Sequence, residues 1–188
     1  ADLQYRHIDY TIDGVNDKYD WNKNALRPLA VDKKFDFFNP KVGLNWNITP
    51  NHRLYASFSV AQKEPTRNNY TDGDPDSYPK AEKLLDYEAG YTFANPWLTA
   101  GANFYYMDYT DHERRLLSVG DWSVYRTHLG LVAYGASFSA AYTAPEERWS
   151  ASVGVRADGN TYSSHMSRPW EQLSPRASFR YVFSPHWS

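Results

Sequence analysis

The sequence predicts an all-β protein, an antiparallel up-and-down transmembrane β-barrel of about eight strands. Three observations support this fold class. Apolar and polar residues alternate with a period of two along most of the chain, short turns alternate with long polar connections, and aromatic residues collect beside the short turns. The first pattern is that of a strand with one face toward lipid and the other toward a polar interior. The other two are typical of outer-membrane barrels.

The composition excludes several other classes of protein. The 188 residues suit a single domain, which we predict to be one β-barrel unit over residues 1–188. Tyrosine (16) and tryptophan (7) far outnumber methionine (2), which fits amphipathic rings at a membrane boundary. The absence of cysteine excludes a disulfide scaffold and a thiolate metal site. A net charge of −2 without basic clusters argues against a nucleic-acid partner.

Eight segments are predicted to be strands. The first alternates poorly, whereas the other seven place aliphatic and aromatic residues on one face and polar residues or glycine on the other. Their apolar faces mix alanine with large rings, which favours a lipid-facing surface over the Val, Ile and Leu of a sandwich core. The predicted strands are 2–12, 41–48, 53–61, 83–93, 97–107, 132–142, 149–156 and 174–183.

The two faces of these strands define two sets of candidate residues. Aromatic residues next to the tight turns are predicted to form a girdle at one bilayer interface. They are Trp46, Phe93, Trp97, Tyr142, Trp149 and Trp187. Polar residues on the opposite faces are predicted to line the lumen. They are Lys41, Asn45, Asp86, Glu88, Asn103, Arg156, Arg176 and Arg180.

Short and long connections alternate strictly along the chain. Each short connection contains a proline, which presets φ for a tight turn; these are 49–52, 94–97, 144–147 and 184–187. The long, polar connections are 14–36, 63–82, 111–125 and 160–173. A Greek-key sandwich would mix hairpins with crossovers and would not keep this order. We therefore expect the short turns to face the periplasm, with both termini on that side.

Two blocks of the sequence carry a family resemblance. The first contains NPKVGLNW and TPNHRLYASF (39–58) and AQKEPTRNNYTDGDPDSYPKAEKLLDYEAGY (61–91). The second contains ERWSASVGVRADGNTYSS (147–164) and SPRASFRYVFSPHWS (174–188). Both resemble the barrel of TonB-dependent outer-membrane transporters, particularly those of Bacteroidetes. The resemblance implies a Gram-negative outer-membrane location, contact with lipid, uptake of an unknown nutrient, and no enzyme activity. It implies TonB as a partner only where a plug domain lies upstream.

The sequence departs from the family pattern in extent and in order. Barrels of the family have 22 strands, whereas eight are predicted here. Residues 1–111 resemble a late part of such a barrel and 126–188 an earlier part, so we expect a seam near 111–125. The chain is then either an engineered or rearranged eight-stranded mini-barrel or an arc of a larger barrel. We favour the closed mini-barrel, which requires pairing between 2–12 and 174–183.

The candidate binding residues have ordinary structural interpretations as well. In a transporter, Lys41, Arg156, Arg176 and Arg180 would suit an anionic substrate, but we expect them to pair with lumen carboxylates such as Asp86 and Glu88. Aromatic residues in the long connections either contact a ligand or pack on each other; they are Tyr70, Tyr78, Trp122, Tyr125, Tyr162 and Trp170.

No cofactor site is predicted, and the only metal candidate is weak. Asp72, Asp74 and Asp76 are spaced as a loop that offers oxygens to Ca²⁺, but the closing Glu of an EF-hand is missing.

Three functions remain open from the sequence. The first is uptake of a scarce nutrient by a TonB-dependent receptor. The second is a structural barrel that transports nothing. The third is a secreted β-sandwich that binds carbohydrate through its aromatic residues.

Overall fold

The structure is a computed structural model that describes residues 1–72, 78, 80–119 and 122–183, with the backbone alone at 72, 111–119 and 122–129. These residues form one antiparallel sheet in which each strand pairs with its neighbour along the chain. The strands are β1 (Asp2–Asp20), β2 (Ala25–Thr49), β3 (His52–Lys63), β4 (Glu82–Ala94), β5 (Leu98–Val119), β6 (Trp122–Thr143), β7 (Trp149–Asn160) and β8 (Leu173–Tyr181). The predicted all-β, antiparallel up-and-down class with eight strands is confirmed.

Among the described residues, two short helices lie in the connections between strands. Helix α1 (Arg67–Asp72) lies between β3 and β4, and a 3₁₀ helix (Pro169–Gln172) leads into β8. No helix in the described part of the chain is long or apolar enough to span a membrane.

Tight turns join the strands at one end of the sheet. Three of the four predicted proline turns are confirmed, since β2–β3, β4–β5 and β6–β7 each meet across two to five residues. In the second turn, Asn95 Oδ1 accepts hydrogen bonds from the backbone N–H groups of Trp97 (2.9 Å) and Leu98 (2.7 Å). The Asn95 side chain thus accepts hydrogen bonds from two backbone N–H groups of the turn in place of a backbone carbonyl. The fourth turn, 184–187, lies outside the described residues.

The sheet is open, which corrects the expectation of a closed mini-barrel. Residues 2–12 and 174–183 are all described, yet the sheet order runs from β1 to β8 without a ladder between them. Eight strands enclose an interior just wide enough for side chains. Here the first and last strands do not meet, so the sheet is an arc and not a closed ring of eight strands. A single sheet also excludes the β-sandwich alternative.

Two of the predicted long loops are instead extensions of strands. Residues 14–36 belong to β1 and β2, which meet at a turn over 21–24, and 111–125 belong to β5 and β6 on either side of 120–121. In the first hairpin the prediction was wrong because the polar and apolar faces do not keep the same sides along the whole length of β1 and β2. The seam expected near 111–125 stays a prediction.

An apolar outer face crosses seven strands over nine residues each. Along β2 it runs from Phe38 to Trp46, and the partner residues on later strands carry it onward. Its large side chains are exposed on the sheet, as in Leu44 (68%) and Phe179 (69%). Nine residues match the length of a tilted transmembrane strand. The segments of this bilayer-facing band are 38–46, 52–60, 85–93, 98–106, 134–142, 149–157 and 173–181.

The polarity of the two faces reverses beyond the band in the β1–β2 hairpin. The outer face becomes charged, beginning at His7 opposite Asp36 and continuing at Asp9 opposite Lys34. The inner face becomes apolar, and Leu29, Val31 and Phe37 are buried there. This reversal follows from the surroundings, because outside the bilayer the outer face meets water and the inner face packs on protein.

A small hydrophobic core lies under the extended hairpin. Tyr70 of α1 is almost fully buried (1% exposed) and packs with Leu29 and Val31. Its ring lies 5.3 Å from that of Tyr10 and 5.0 Å from that of Tyr78. The β3–β4 connection is thereby fixed to the inner face of the hairpin.

Candidate functional site

The register aligns the predicted lumen residues in rows across the sheet. One row begins where Asn45 lies opposite Tyr55 and reaches Asn103 and Arg156 on later strands. A second row joins Glu88, Tyr105 and Asp158 by way of Gly135. Because the strands are adjacent, side chains far apart in sequence meet on this inner face.

A charged cluster occupies the inner face between β5 and β7. Arg156 Nε donates to both carboxylate oxygens of Asp158, at 2.8 and 2.7 Å. The Tyr105 hydroxyl donates to Asp158 Oδ1 at 2.6 Å, and the Arg156 guanidinium lies 5.7 Å from the Tyr105 ring centroid. The cluster borders a concave space of about 310 Å³ that Glu88 and Asn103 also line. The charges of Arg156 and Asp158 are satisfied by each other on the inner face of the sheet.

Inner-face tyrosines lie flat over glycines on neighbouring strands. The Tyr55 ring covers Gly90, where a Cβ atom would overlap the ring, and the Tyr55 hydroxyl donates to Asn103 Oδ1. A Cβ at Gly135 would lie 2.5 Å from Cε1 of Tyr105. Each pair fixes the register between two strands and holds a polar ring in the lumen.

The expected pairing of lumen cations with lumen carboxylates holds for Arg156, although its partner is neither Asp86 nor Glu88. Arg156 pairs with Asp158 on its own strand. Within the described part of the chain, Lys41, Arg176 and Arg180 form no ion pair with a carboxylate within 4.0 Å. Lys41 and Asp86 lie in one row but on β2 and β4, about 10 Å apart across β3. Arg176 and Arg180 lie on β8, four strands away from Asp86 and Glu88 on β4.

The predicted interface aromatics lie at the short-turn end of the band. The Tyr142 ring is 5.1 Å from that of Trp149, which is 6.2 Å from that of Phe179. Trp46 and Trp97 are half exposed beside their turns. Trp187 lies outside the described residues. The interface role of these rings stays a prediction.

The aromatic residues of the long connections divide into two groups. Tyr70 and Tyr78 belong to the core beneath the β1–β2 hairpin. Tyr162 (51%) and Trp170 (67%) are exposed. The side chains of Trp122 and Tyr125 lie outside the described part.

A histidine bridges two carboxylates just beyond the band. His7 Nδ1 lies 2.6 Å from Asp36 Oδ1, and His7 Nε2 lies 3.4 Å from Asp9 Oδ2. The hydrogen bond with Asp36 raises the pKa of His7. Hydrogen bonds from Tyr5 and then from His7 lower the pKa of Asp36. These groups hold β1 to β2 on the charged outer face.

The candidate calcium site at Asp72, Asp74 and Asp76 stays a prediction. Asp74 and Asp76, together with the side chain of Asp72, lie outside the described residues. In the described part, no group of three His, Asp or Glu residues is arranged to hold a metal ion.

Sequence reasoning missed several residues that organise the inner face. Asp158 follows Arg156 by two residues on the same face, so the period-two pattern contained the signal. Arg6, by contrast, pairs with Glu64 at 2.5 Å, a contact between β1 and the β3–β4 connection that depends on the tertiary fold.

The sequence matches the family described as TonB dependent receptor-like, beta-barrel, over residues 1–143. The chain belongs to this family. As a TonB-dependent receptor barrel, it is a Gram-negative outer-membrane protein. The periplasmic location of the short turns stays a prediction.

Solved structures of transporters share the receptor fold. The iron transporter FrpB of Neisseria meningitidis (F3-3 variant) matches with a TM-score of 0.63 and 15% identity, covering 81% of this chain and 25% of FrpB. The copper transporter OprC matches with a TM-score of 0.69 and 15% identity, covering 97% and 30%. The ferric-catecholate import receptor Fiu of E. coli K12 matches with a TM-score of 0.60 and 18% identity, covering 97% and 29%.

The chain thus spans between a quarter and three tenths of the length of these structures. At such low identity the likeness shows the fold alone. No curated protein matches the chain. The family and the similar structures are receptors and transporters, not enzymes.

Proposed function

We propose that the chain forms part of the barrel wall of a transporter that takes up a scarce nutrient across the outer membrane. The observation that carries this proposal is the open sheet with two dissimilar faces, one apolar and nine residues tall, the other lined by hydrogen-bonded polar groups. Such a wall separates lipid from a polar passage. Its two unpaired edges require further strands, because backbone groups without partners are costly in lipid.

The partners of this transporter are part of the proposal. A plug segment inside the lumen, together with TonB, supplies the energy for uptake in the proposed mechanism. Membrane lipid covers the outer face. The transported compound belongs among the scarce nutrients that the similar structures carry, such as iron, copper or ferric catecholates. No nucleic acid takes part.

Uptake by the whole protein tests the proposal. A strain that lacks the gene and a complemented strain are compared for accumulation of radiolabelled iron, copper and ferric catecholate, with and without TonB. We expect TonB-dependent accumulation of one compound in the complemented strain only. A protein that inserts in the outer membrane but restores uptake of none of them, in either background, would argue against transport of these nutrients.

A further inference from the structure

The upper edge of the bilayer-facing band lacks aromatic rings on its last two strands. On β5 and β6 the band ends at Tyr106 and Tyr134, whereas on β7 and β8 it ends at Ala157 and Leu173. Above Ala157 the outer face of β7 continues at Gly159, which has no side chain. At this edge β7 and β8 therefore contribute no ring of their own, and the nearest ring from a strand is that of Tyr134 on β6.

The β7–β8 connection is fastened to the outer side of the sheet at this place. The Tyr134 ring lies over Gly159, where a Cβ atom would be 2.9 Å from the ring. The Tyr134 hydroxyl then donates to the backbone oxygen of Ser167 at 2.6 Å. The Asn160 N–H donates to the backbone oxygen of Met166 at 2.7 Å. Because Tyr134 belongs to the outer face, the bond to Ser167 holds the connection against that face.

This connection presents apolar side chains and little unpaired charge. Trp170 is 67% exposed, and Tyr162 (51%) and Met166 (38%) are exposed as well. Its charged residues pair with each other, since Glu171 lies 2.9 Å from Arg168 and 3.4 Å from His165. Paired charges cost less than isolated ones where the dielectric constant is low.

Trp170 lies within reach of the membrane interface. It precedes Leu173, at the edge of the band, by three residues that run through a 3₁₀ helix, which separates the two residues by about 6 Å along that helix at roughly 2.0 Å per residue. The polar interface on each side of the hydrocarbon core is about 5–8 Å thick. Trp and Tyr are enriched at this depth because one side of each ring is apolar and the other polar.

We propose that residues 161–172 form an interfacial anchor that inserts Trp170, with Met166 and Tyr162, into the interface of the outer leaflet. The occupant of this surface is lipid, because the surface continues the bilayer-facing band at the two strands that contribute no ring of their own to this edge. This role is independent of which nutrient the receptor carries.

Tryptophan quenching in the full-length receptor tests the anchor. The receptor is reconstituted in phosphatidylcholine vesicles whose acyl chains are brominated next to the headgroup. The emission of Trp170 is obtained by subtracting the spectrum of Trp170→Phe from that of the natural protein. Trp21 serves as the matched control through Trp21→Phe. It is also exposed (84%) but lies at the tip of the β1–β2 hairpin, 16 residues beyond Tyr5 and about 50 Å along the strand.

We expect brominated lipid to remove most of the Trp170 emission and to leave that of Trp21 unchanged. The proposal would be overturned if brominated lipid left the emission of Trp170 unchanged and aqueous acrylamide quenched Trp170 as strongly as it quenches Trp21. That outcome would assign the surface to water or to a protein partner.

A second variant tests the fastening. Tyr134→Phe keeps the ring over Gly159 but removes the hydroxyl that holds Ser167. We expect weaker lipid quenching of Trp170 and unchanged emission of Trp21. Full lipid quenching of Trp170 in this variant would show that the hydrogen bond does not hold the connection on the outer face.

Discussion

At the scale of single residues, the inner face is organised by contacts between a tyrosine ring and a glycine on the neighbouring strand. Tyr55 and Tyr105 lie over Gly90 and Gly135, so each ring fills the space that a Cβ atom would take. Their hydroxyls then reach Asn103 and Asp158, each on the strand that follows the strand of the glycine. A strand glycine ordinarily weakens a sheet. Here the covering ring compensates for the missing side chain.

Gly90→Ala should therefore destabilise the receptor, whereas Gly43→Ala should not. At Gly90 the new methyl group overlaps the Tyr55 ring, and overpacking of this kind costs roughly 1–3 kcal/mol. At Gly43 the nearest atom would be 3.7 Å away, an ordinary contact. The free energy of unfolding, measured by denaturant titration in detergent, separates the two. Equal stability of both variants would mean that the ring moves aside freely.

The contact between His7 and Asp36 should depend on pH in a defined window. The pKa of His7 is raised from 6.5, chiefly by its hydrogen bond with Asp36, so its contribution is complete below 6.5 and lost as pH rises through the raised value. The pKa of Asp36 is lowered from 3.8, so its contribution is present above 3.8 and lost as pH falls through the lowered value. The contact between His7 and Asp36 is therefore strongest between pH 3.8 and pH 6.5.

Asp36→Asn should bring the pKa of His7 back toward its ordinary value, as followed by NMR of the imidazole protons. Asp9→Asn, which removes the more distant carboxylate at 3.4 Å, should change it less. The reverse order would show that Asp9 is the main partner.

At the scale of elements, the strands could be predicted wherever lipid faces one side and the lumen the other. The segments from 41 onward alternate cleanly because both surroundings are constant over nine residues. Segment 2–12 alternates poorly because its apolar residues move from the outer face at Tyr5 to the inner face at Ile8. The same reversal hid the strands within 14–36. The Arg6–Glu64 pair and the Tyr70 core could not be predicted, since both depend on where the β3–β4 connection folds.

The face assignment of the strands predicts an asymmetric response to charge. Ala102 is the midpoint of the β5 segment 98–106 on the outer face, so Ala102→Arg should cost roughly 2–4 kcal/mol of folding free energy. Ser57→Arg, on the inner face of β3 opposite Glu88, should cost less. Unfolding titrations in lipid measure both. A similar cost for the two variants would show that the faces are assigned the wrong way round.

At the scale of the whole molecule, the open edges decide whether the chain is self-sufficient. The strand count and the position of the termini favoured a closed barrel, but the pattern of alternation could not decide between a closed barrel and an arc. Alternation reports the face of each residue and not the curvature of the sheet. The register, by contrast, leaves the outer edges of β1 and β8 without a partner among the described residues.

The 188-residue chain expressed alone should therefore fail to form a folded monomer in detergent or lipid. Each unpaired backbone group in the hydrocarbon region costs several kcal/mol, and exposed edges pair with other copies instead. Gel mobility before and after heating, together with size-exclusion chromatography, distinguishes a compact barrel from aggregates. A compact, heat-modifiable monomer would show that the edges can close on each other.

The polarity reversal in the β1–β2 hairpin also has a kinetic consequence for biogenesis. In a chain that inserts from the periplasm, the hairpin tip must cross the hydrocarbon before the band can reach its depth. His7, Asp9, Lys34 and Asp36 then traverse the bilayer centre, where a charged side chain costs about 2.5–3.5 kcal/mol or more. Translocation of such a hairpin through an intact bilayer is slow, so timely assembly requires a catalyst that opens or thins the membrane.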